Sequence, residues 1–317
     1  MTAMSSRLSF SLFIMLTLFG QACRIQEKTV IESGPQPKST ESRVTRVFDL
    51  QGHRGCRGLR PENTIDAFLY AISLGVNTLE LDVCLSADGQ VVVTHEPWMS
   101  DEICSRENGD SGQRFHFGEL TYEQIKDWDC GSTQHHLYPD QVNAPAAKPL
   151  LSEVVAAAEA EAGRTGQEIA YNIEIKARNS WDGKEQPAPE VSVPTVLKVI
   201  REGGVLERST LQSFDYRVLR LVKEQEPELT IAQLVNMQVL FETELQKLGF
   251  HPDIYSPNYR QVTATLVRKA HAANIKVIPW TVNDEVAIRR MVHAGVDGLI
   301  TDYPDRAIFL LEEMGVR

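Results

Sequence analysis

From Val47 onward, short runs of apolar, often β-branched residues alternate with stretches whose apolar positions recur every three or four residues. The first kind reads as buried parallel strand and the second as amphipathic helix. Strand candidates are residues 47–53, 78–84, 169–176, 209–214, 229–235, 253–256, 276–281 and 298–302, and helix candidates between them include 64–74, 193–201, 216–223, 263–273 and 285–294. Eight strands alternating with helices predict an α/β fold of the (β/α)8 TIM-barrel type, in which the loops after the strands form the catalytic mouth. One extra run, Val91–His95, follows Ser86-Ala87-Asp88-Gly89, where Asp-Gly signals a tight turn. It is expected to return as a hairpin against the second barrel strand and to bring His95 near Glu80.

Three stretches break the alternation. Residues 96–148 hold Trp98, Cys104, His116, Cys130 and the pair His135-His136 without a clear period, and read as a long insertion of the lid or binding-loop kind. A second, Pro-rich loop is expected from Trp181 to Pro194. At the N-terminus, Arg7 precedes an apolar stretch from Leu8 to Gly20, followed by Gln21-Ala22-Cys23. That stretch is too short for a stable membrane span and reads as a secretory leader over residues 1–23. The small residues before Cys23 resemble a lipoprotein cleavage box, with Gly20 where Leu is usual. The expectation is export to a bacterial cell envelope, either into the periplasm or anchored by a lipid on Cys23. Residues 24–45 would be a tether and 46–317 the barrel.

Composition changes this picture little. With 42% hydrophobic and 24% charged residues, the chain suits a soluble globular domain. The net charge of −11, or −12 once Arg7 of the leader is removed, repels nucleic acid. Cys56, Cys84, Cys104 and Cys130 have no paired metal-ligand spacing, so zinc is not expected. Cys104 and Cys130 share the insertion and are the first choice for a disulfide; the other pairings stay open.

Strand parity then gathers the chemistry. Glu80 and Asp82, two apart on one strand, face the same side, as do Glu174 and Lys176 on the next barrel strand. Taken singly, each pair is also what a strand edge or a cross-strand ion pair shows, and a lone His53 or His95 is more often a satisfied core histidine. Those readings weaken because the groups all fall at strand ends on one mouth. Three carboxylates meeting there repel one another unless a hard cation with oxygen ligands joins them, and Mg2+ or Ca2+ fits that donor set. Two histidines that titrate near neutral pH suit phosphodiester cleavage, one taking a proton or attacking and the other protonating the leaving alkoxide. Arg54 and Lys176 would clamp the added phosphoryl charge.

The run His53-Arg54-Gly55 followed by Pro61-Glu62-Asn63-Thr64 resembles the signature of the glycerophosphodiester phosphodiesterase family. The likeness continues through residues 79–83, 91–95 and 173–176, then Ser213-Phe214, residues 279–283 and Asp297-Gly298-Leu299-Ile300-Thr301-Asp302-Tyr303-Pro304. It implies a barrel enzyme that hydrolyses deacylated phospholipids to glycerol 3-phosphate and an alcohol. It further implies His53 as general base or nucleophile, His95 as general acid, and Glu80, Asp82 and Glu174 as metal ligands with Glu62 close by. Arg54 and Lys176 would bind phosphate, and Trp280 would pack on the glycerol. One departure is Glu96, which stands where the family usually has Asp. Two other readings keep the same barrel: phospholipase D-like action on intact lipids, and a surface-binding lipoprotein without catalysis.

Overall fold

The structure, a computed structural model, describes residues 47–106, 114–237 and 239–317. The expected leader, Cys23 and the tether lie outside the described residues. Nine strands occur among the described residues: β1 (Asp49–Gly52), β2 (Thr78–Leu85), β3 (Val91–Val93), β4 (Ala170–Ile175), β5 (Ser209–Ser213), β6 (Thr230–Val235), β7 (Ile254–Pro257), β8 (Lys276–Val277) and β9 (Gly298–Thr301). All but β3 are parallel and run in the order β8-β7-β6-β5-β4-β2-β1-β9. Backbone bonds close the ring: Asp297 N donates to Val277 O, Ile300 N to Pro279 O and Val282 N to Ile300 O, each at 2.9 Å. The expected eight-stranded barrel is therefore what forms.

The eighth strand is shorter than the apolar run 276–281 suggests. Pro279 has no N–H to donate, so the regular strand ends at Val277, although Ile278 N still donates to Tyr255 O and Trp280 N to Pro257 O, each at 3.1 Å, and the Pro279 carbonyl accepts from β9. A second difference concerns the Pro-rich loop, because the helix after β4 begins at Pro189 and runs to Glu202. Pro189 sits in the first turn, where its missing donor costs nothing. Pro194 gives up one backbone bond, and the burial of Val193, Val196, Leu197 and Ile200 against the sheet outweighs that loss.

Alternation along β2 shows how the strands serve two masters. Leu79, Leu81 and Val83 pack outward against the helices, in a cluster with Phe68, Ile72 and Val196. Glu80 and Asp82 therefore point into the barrel, where Gln51, Asn172 and Gln212 are also buried. On the opposite side the interior is apolar, filled by Ala232, Ile254, Ile278 and Ile300 with Trp280 above. The polar half of the barrel is where the site forms.

The described residues of the insertion, 96–106 and 114–148, are folded around a core of their own. Met99, Cys104, Phe117, Tyr122, Ile125, Trp128 and Cys130 make a small core that docks on Val92 of β3. The expected disulfide joins Cys104 to Cys130, flanked by a two-way backbone pairing of Ser105 with Asp129 at 2.8 Å. Cys56 and Cys84 are buried thiols. The bridge closes a loop of 26 residues, which by the chain-entropy argument corresponds to about 3.5 kcal/mol. Replacing both Cys104 and Cys130 by Ser should lower the unfolding free energy in urea titrations by up to that amount; an unchanged midpoint would show that the bridge constrains nothing.

Candidate active site

The first βα turn is built to aim groups inward. After β1, Arg54 adopts a left-handed backbone with φ 50° and Gly55 follows at φ 87°. A side chain at Gly55 would meet the Ala67 backbone within 2.8–2.9 Å, so only glycine fits. The unusual Arg54 conformation turns its amide onto Glu80 Oε2 at 2.9 Å and its carbonyl toward the Asn63 amide at 3.0 Å. Backbone strain of this kind, of order 1–3 kcal/mol, persists where surrounding bonds over-determine it. Thr64 caps the next helix by accepting from Ala67 N at 3.2 Å. Asn63 (φ 55°) is thereby released to donate through Nδ2 to Asp82 Oδ2 at 3.0 Å.

Oxygen atoms of Glu80, Asp82 and Glu174, all buried, lie within 4.8 Å of one another. β2 and β4 bring them together, with Asp82 in register beside Glu174. At an effective dielectric of 20, each like-charged pair at that separation costs about 3 kcal/mol or more. Burial, with Asp82 next, pushes Glu80 well above the usual carboxylate range. Glu174 is pushed up to about 7 by burial and by Asp82, against the pull of Lys176. Asp82 goes the other way, because the charges of His95, Lys176 and Arg54 outweigh its burial and hold it well below the range. An all-oxygen set with this much repulsion fits a hard divalent cation, and these three residues could hold one.

Below the cluster, amides fix its geometry. Gln212 donates to Glu80 Oε1 at 2.7 Å, and Asn172 donates to Gln51 Oε1 at 2.7 Å and to Gln212 Oε1 at 3.1 Å. Cations fix it from the side. Lys176 Nζ is 2.8 Å from Glu174 and 3.6 Å from Asp82, while Arg54 Nε is 3.4 Å from Asp82. Arg54 also bonds Glu62 at 2.8 Å, and Arg57 ion-pairs with the same carboxylate. Glu62 thus anchors two arginines rather than joining the acidic cluster, and they hold it well below the carboxylate range in spite of its burial.

The two histidines face this cluster. His53 Nδ1 lies 2.5 Å from Asp302 Oδ1, so the ring nitrogen donates to the carboxylate, and Nε2 is 3.9 Å from Glu80. His95 lies past the end of β3, whose register sets Thr94 opposite Asp82 with a 2.9 Å bond. It lines one cavity with both Glu80 and Asp82. Glu96, the residue out of family pattern, reaches back to His95 Nδ1 at 2.6 Å. Burial pushes both imidazoles below the ordinary histidine value; Asp302 opposes this at His53, and Arg54 reinforces it at His95 while Asp82 opposes it.

His53, Arg54, Glu80, Asp82, His95 and Trp280 share the lining of a cavity of about 260 Å3. His95, Glu174, Phe214 and Trp280 also border a second space of about 720 Å3, lined further by Trp98 of the insertion and Trp181 of the loop after β4, whose rings meet edge to face at 6.4 Å. Trp280 is fixed by donating to Ser256 O at 2.9 Å and by an edge contact with Phe214 at 5.5 Å. Of the residues expected from sequence, all but Glu62 line one or the other of these two spaces.

Several groups in the site have no role in the sequence reading. Asp302 is one, although it stands two positions after the inward-facing Ile300 at the end of β9 and parity alone marks it. Gln212 and Asn63 are others. Lys148, at the end of the insertion, is buried and donates to the Glu62 carbonyl at 2.8 Å; burial pushes it down to about 8. No periodic signal in residues 96–148 points to it.

Comparison with known proteins agrees with this geometry. The model of the glycerophosphoryl diester phosphodiesterase family matches residues 53–306. A glycerophosphodiester phosphodiesterase of Bacillus altitudinis is 31% identical over 279 residues, covering 86% of this chain and 100% of that protein. A Silicibacter pomeroyi crystal structure bearing the same family name superposes with a TM-score of 0.77 at 31% identity, over 85% of this chain and 95% of its own. An Oleispira antarctica phosphodiesterase in complex with its product sn-glycerol-3-phosphate shares the fold with a TM-score of 0.68 at 21% identity, over 84% and 97% of the two chains. A family match that starts at His53 and spans the acidic cluster and Asp302 leaves one conclusion: this chain belongs to the glycerophosphoryl diester phosphodiesterase family.

Proposed function

We propose that the protein hydrolyses glycerophosphodiesters to glycerol 3-phosphate and an alcohol, with a divalent cation, Mg2+ or Ca2+, on Glu80, Asp82 and Glu174. One observation carries the reading: two imidazoles, each with its Nδ1 held by a carboxylate, flank a buried three-carboxylate cluster in one cavity. When bound, the cation supplies positive charge for the phosphoryl oxygens. With Nδ1 donating to Asp302, His53 presents Nε2 as a base that takes the proton of the substrate's own glycerol hydroxyl as it attacks phosphorus, and water then opens the resulting cyclic phosphate to glycerol 3-phosphate. His95, its Nδ1 held by Glu96, delivers a proton from Nε2 to the departing alkoxide. Arg54 lines the same cavity as the carboxylates and Lys176 the adjoining space, and both would meet phosphate oxygens. Trp280 offers an apolar face to the glycerol carbons. The product bound to the Oleispira antarctica protein is the one this reading requires.

Export to the cell envelope is part of the proposal. The leader pattern ending at Cys23 supports it, and a disulfide inside the barrel's insertion suits an oxidising compartment. If Cys23 carries the lipid, cells fed labelled palmitate should label the protein, and Cys23→Ser should abolish the label; label retained in the variant would exclude this anchor.

Purified protein with Mg2+ or Ca2+ should release glycerol 3-phosphate from glycerophosphocholine. EDTA should abolish that release, and His53→Ala should lower kcat by about a thousandfold. Choline release from vesicles with none from glycerophosphocholine would instead favour action on intact lipids, and no cleavage of any phosphodiester would favour a binding role. The acid limb of kcat/KM has a definite sign. Burial and the nearby Arg54 and Arg57 lower His53, so the base stays neutral to a pH below the ordinary value of about 6.5. Activity should fall only as pH drops through that lowered value, and a cation on Glu80 pushes in the same direction. A limb centred well above pH 7 would assign the base elsewhere.

A further inference from the structure

We propose that Tyr138, contributed by the insertion, is a positioning residue for His53 and acts through Asp302. The role rests on the hydrolase reading above, because it concerns the base of that reaction. Asp302 takes three side-chain bonds. Its Oδ1 receives His53 Nδ1 at 2.5 Å, and its Oδ2 receives Asn283 Nδ2 at 2.6 Å and the Tyr138 hydroxyl at 3.1 Å. An ionised carboxylate is acceptor-only, so the phenol is the donor in the last bond. Burial and the Asp302 charge both push the Tyr138 phenol up, which keeps its proton in place. A carboxylate otherwise turns about its own bond to the chain. Two donors on Oδ2 fix that plane, and the fixed plane keeps Oδ1 on His53 and Nε2 on the cavity side.

The barrel supplies Asn283, which also accepts from the Asp302 amide at 2.9 Å. The insertion supplies the second donor and is built to deliver it. Gln141 Nε2 donates to the Arg57 carbonyl at 2.5 Å, and Val142 N donates to Leu59 O at 3.0 Å, fastening this segment to the turn after β1. The Arg57 guanidinium lies 4.7 Å from the centre of the Tyr138 ring, and the His135 ring meets its edge at 4.8 Å. Ring contacts therefore hold the side chain, while the hydroxyl acts on Asp302. This separates the two jobs, since Tyr138→Phe keeps the ring and removes only the donor.

The test uses the full chain with Mg2+ and glycerophosphocholine. Tyr138→Phe should lower kcat about tenfold, the loss typical of a hydrogen bond to a charged group, with KM changed less than about twofold. In an Asp302→Asn background the same change should cost less than about twofold, because the acceptor's role is already gone. A readout independent of turnover is the downfield Nδ1 proton of His53 by NMR, identified by its absence in His53→Ala. That resonance should move in Tyr138→Phe and stay in place in Leu137→Ala, an exposed neighbour. An unchanged kcat, an equal loss in the Asp302→Asn background, or an unmoved resonance would each overturn the proposal. Should the wild-type protein turn over no glycerophosphodiester, the hydrolase reading fails, and the NMR comparison still decides whether Tyr138 positions His53.

Discussion

Mutual repulsion among Glu80, Asp82 and Glu174 is the constraint around which this barrel is organised. Three carboxylates inside a protein, with oxygens no more than 4.8 Å apart, are tolerable only with countercharge and hydrogen bonds on every side. The surrounding residues divide that work. Lys176 and Arg54 bring charge, Asn63 and Gln212 bring amide donors, and the left-handed backbone at Arg54 turns a main-chain N–H to Glu80. Glu62 then balances Arg54 and Arg57 so that the cations do not outnumber their partners locally. The pattern is a chain of alternating charges running outward from the cluster.

The same arrangement sets the two histidines apart. Each has its Nδ1 on a carboxylate, but Asp302 is itself pinned by donors from the barrel and the insertion, whereas Glu96 is a half-buried side chain next in sequence to His95. In the proposed mechanism the pinned acceptor suits a base that must keep one tautomer and one aim, and Glu96 leaves His95 the part of the acid. The family's usual Asp at position 96 would be one methylene shorter, and Glu96 spans the distance to the ring while remaining on the cavity rim.

The insertion joins this chemistry rather than merely covering it. Its own small core and disulfide give it a fixed shape. From that shape it sends Lys148 to the Glu62 carbonyl, Tyr138 to Asp302 and Trp98 to the wall of the larger space. A loop of this length without internal packing would lose too much entropy on ordering to hold side chains to hydrogen-bond distances. Its folding onto Val92 is what lets it share in the site.

Much of this was legible from the chain alone. Alternating periodicities dictate parallel strands and helices, parity puts Glu80 with Asp82 and Glu174 with Lys176 on common faces, and glycine, Asn and Thr after His53 mark the turn and helix start. These are local rules, with a reach of a few residues, and the barrel follows because strands buried on both faces have few other arrangements. Element ends blurred where proline intervened, at the strand end before Pro279 and at the helix start at Pro189, because the outcome there depends on how much apolar surface the neighbours bury. The partners of the chemical groups belong to tertiary structure. Asp302 meets His53 across 249 positions, Tyr138 meets Asp302 across 164, and Lys148 meets Glu62 across 86. No period links such residues, since only closure of the barrel and folding of the insertion bring them together. The sequence determined which groups gather at the mouth of the barrel, and the tertiary structure decided what holds each of them in place.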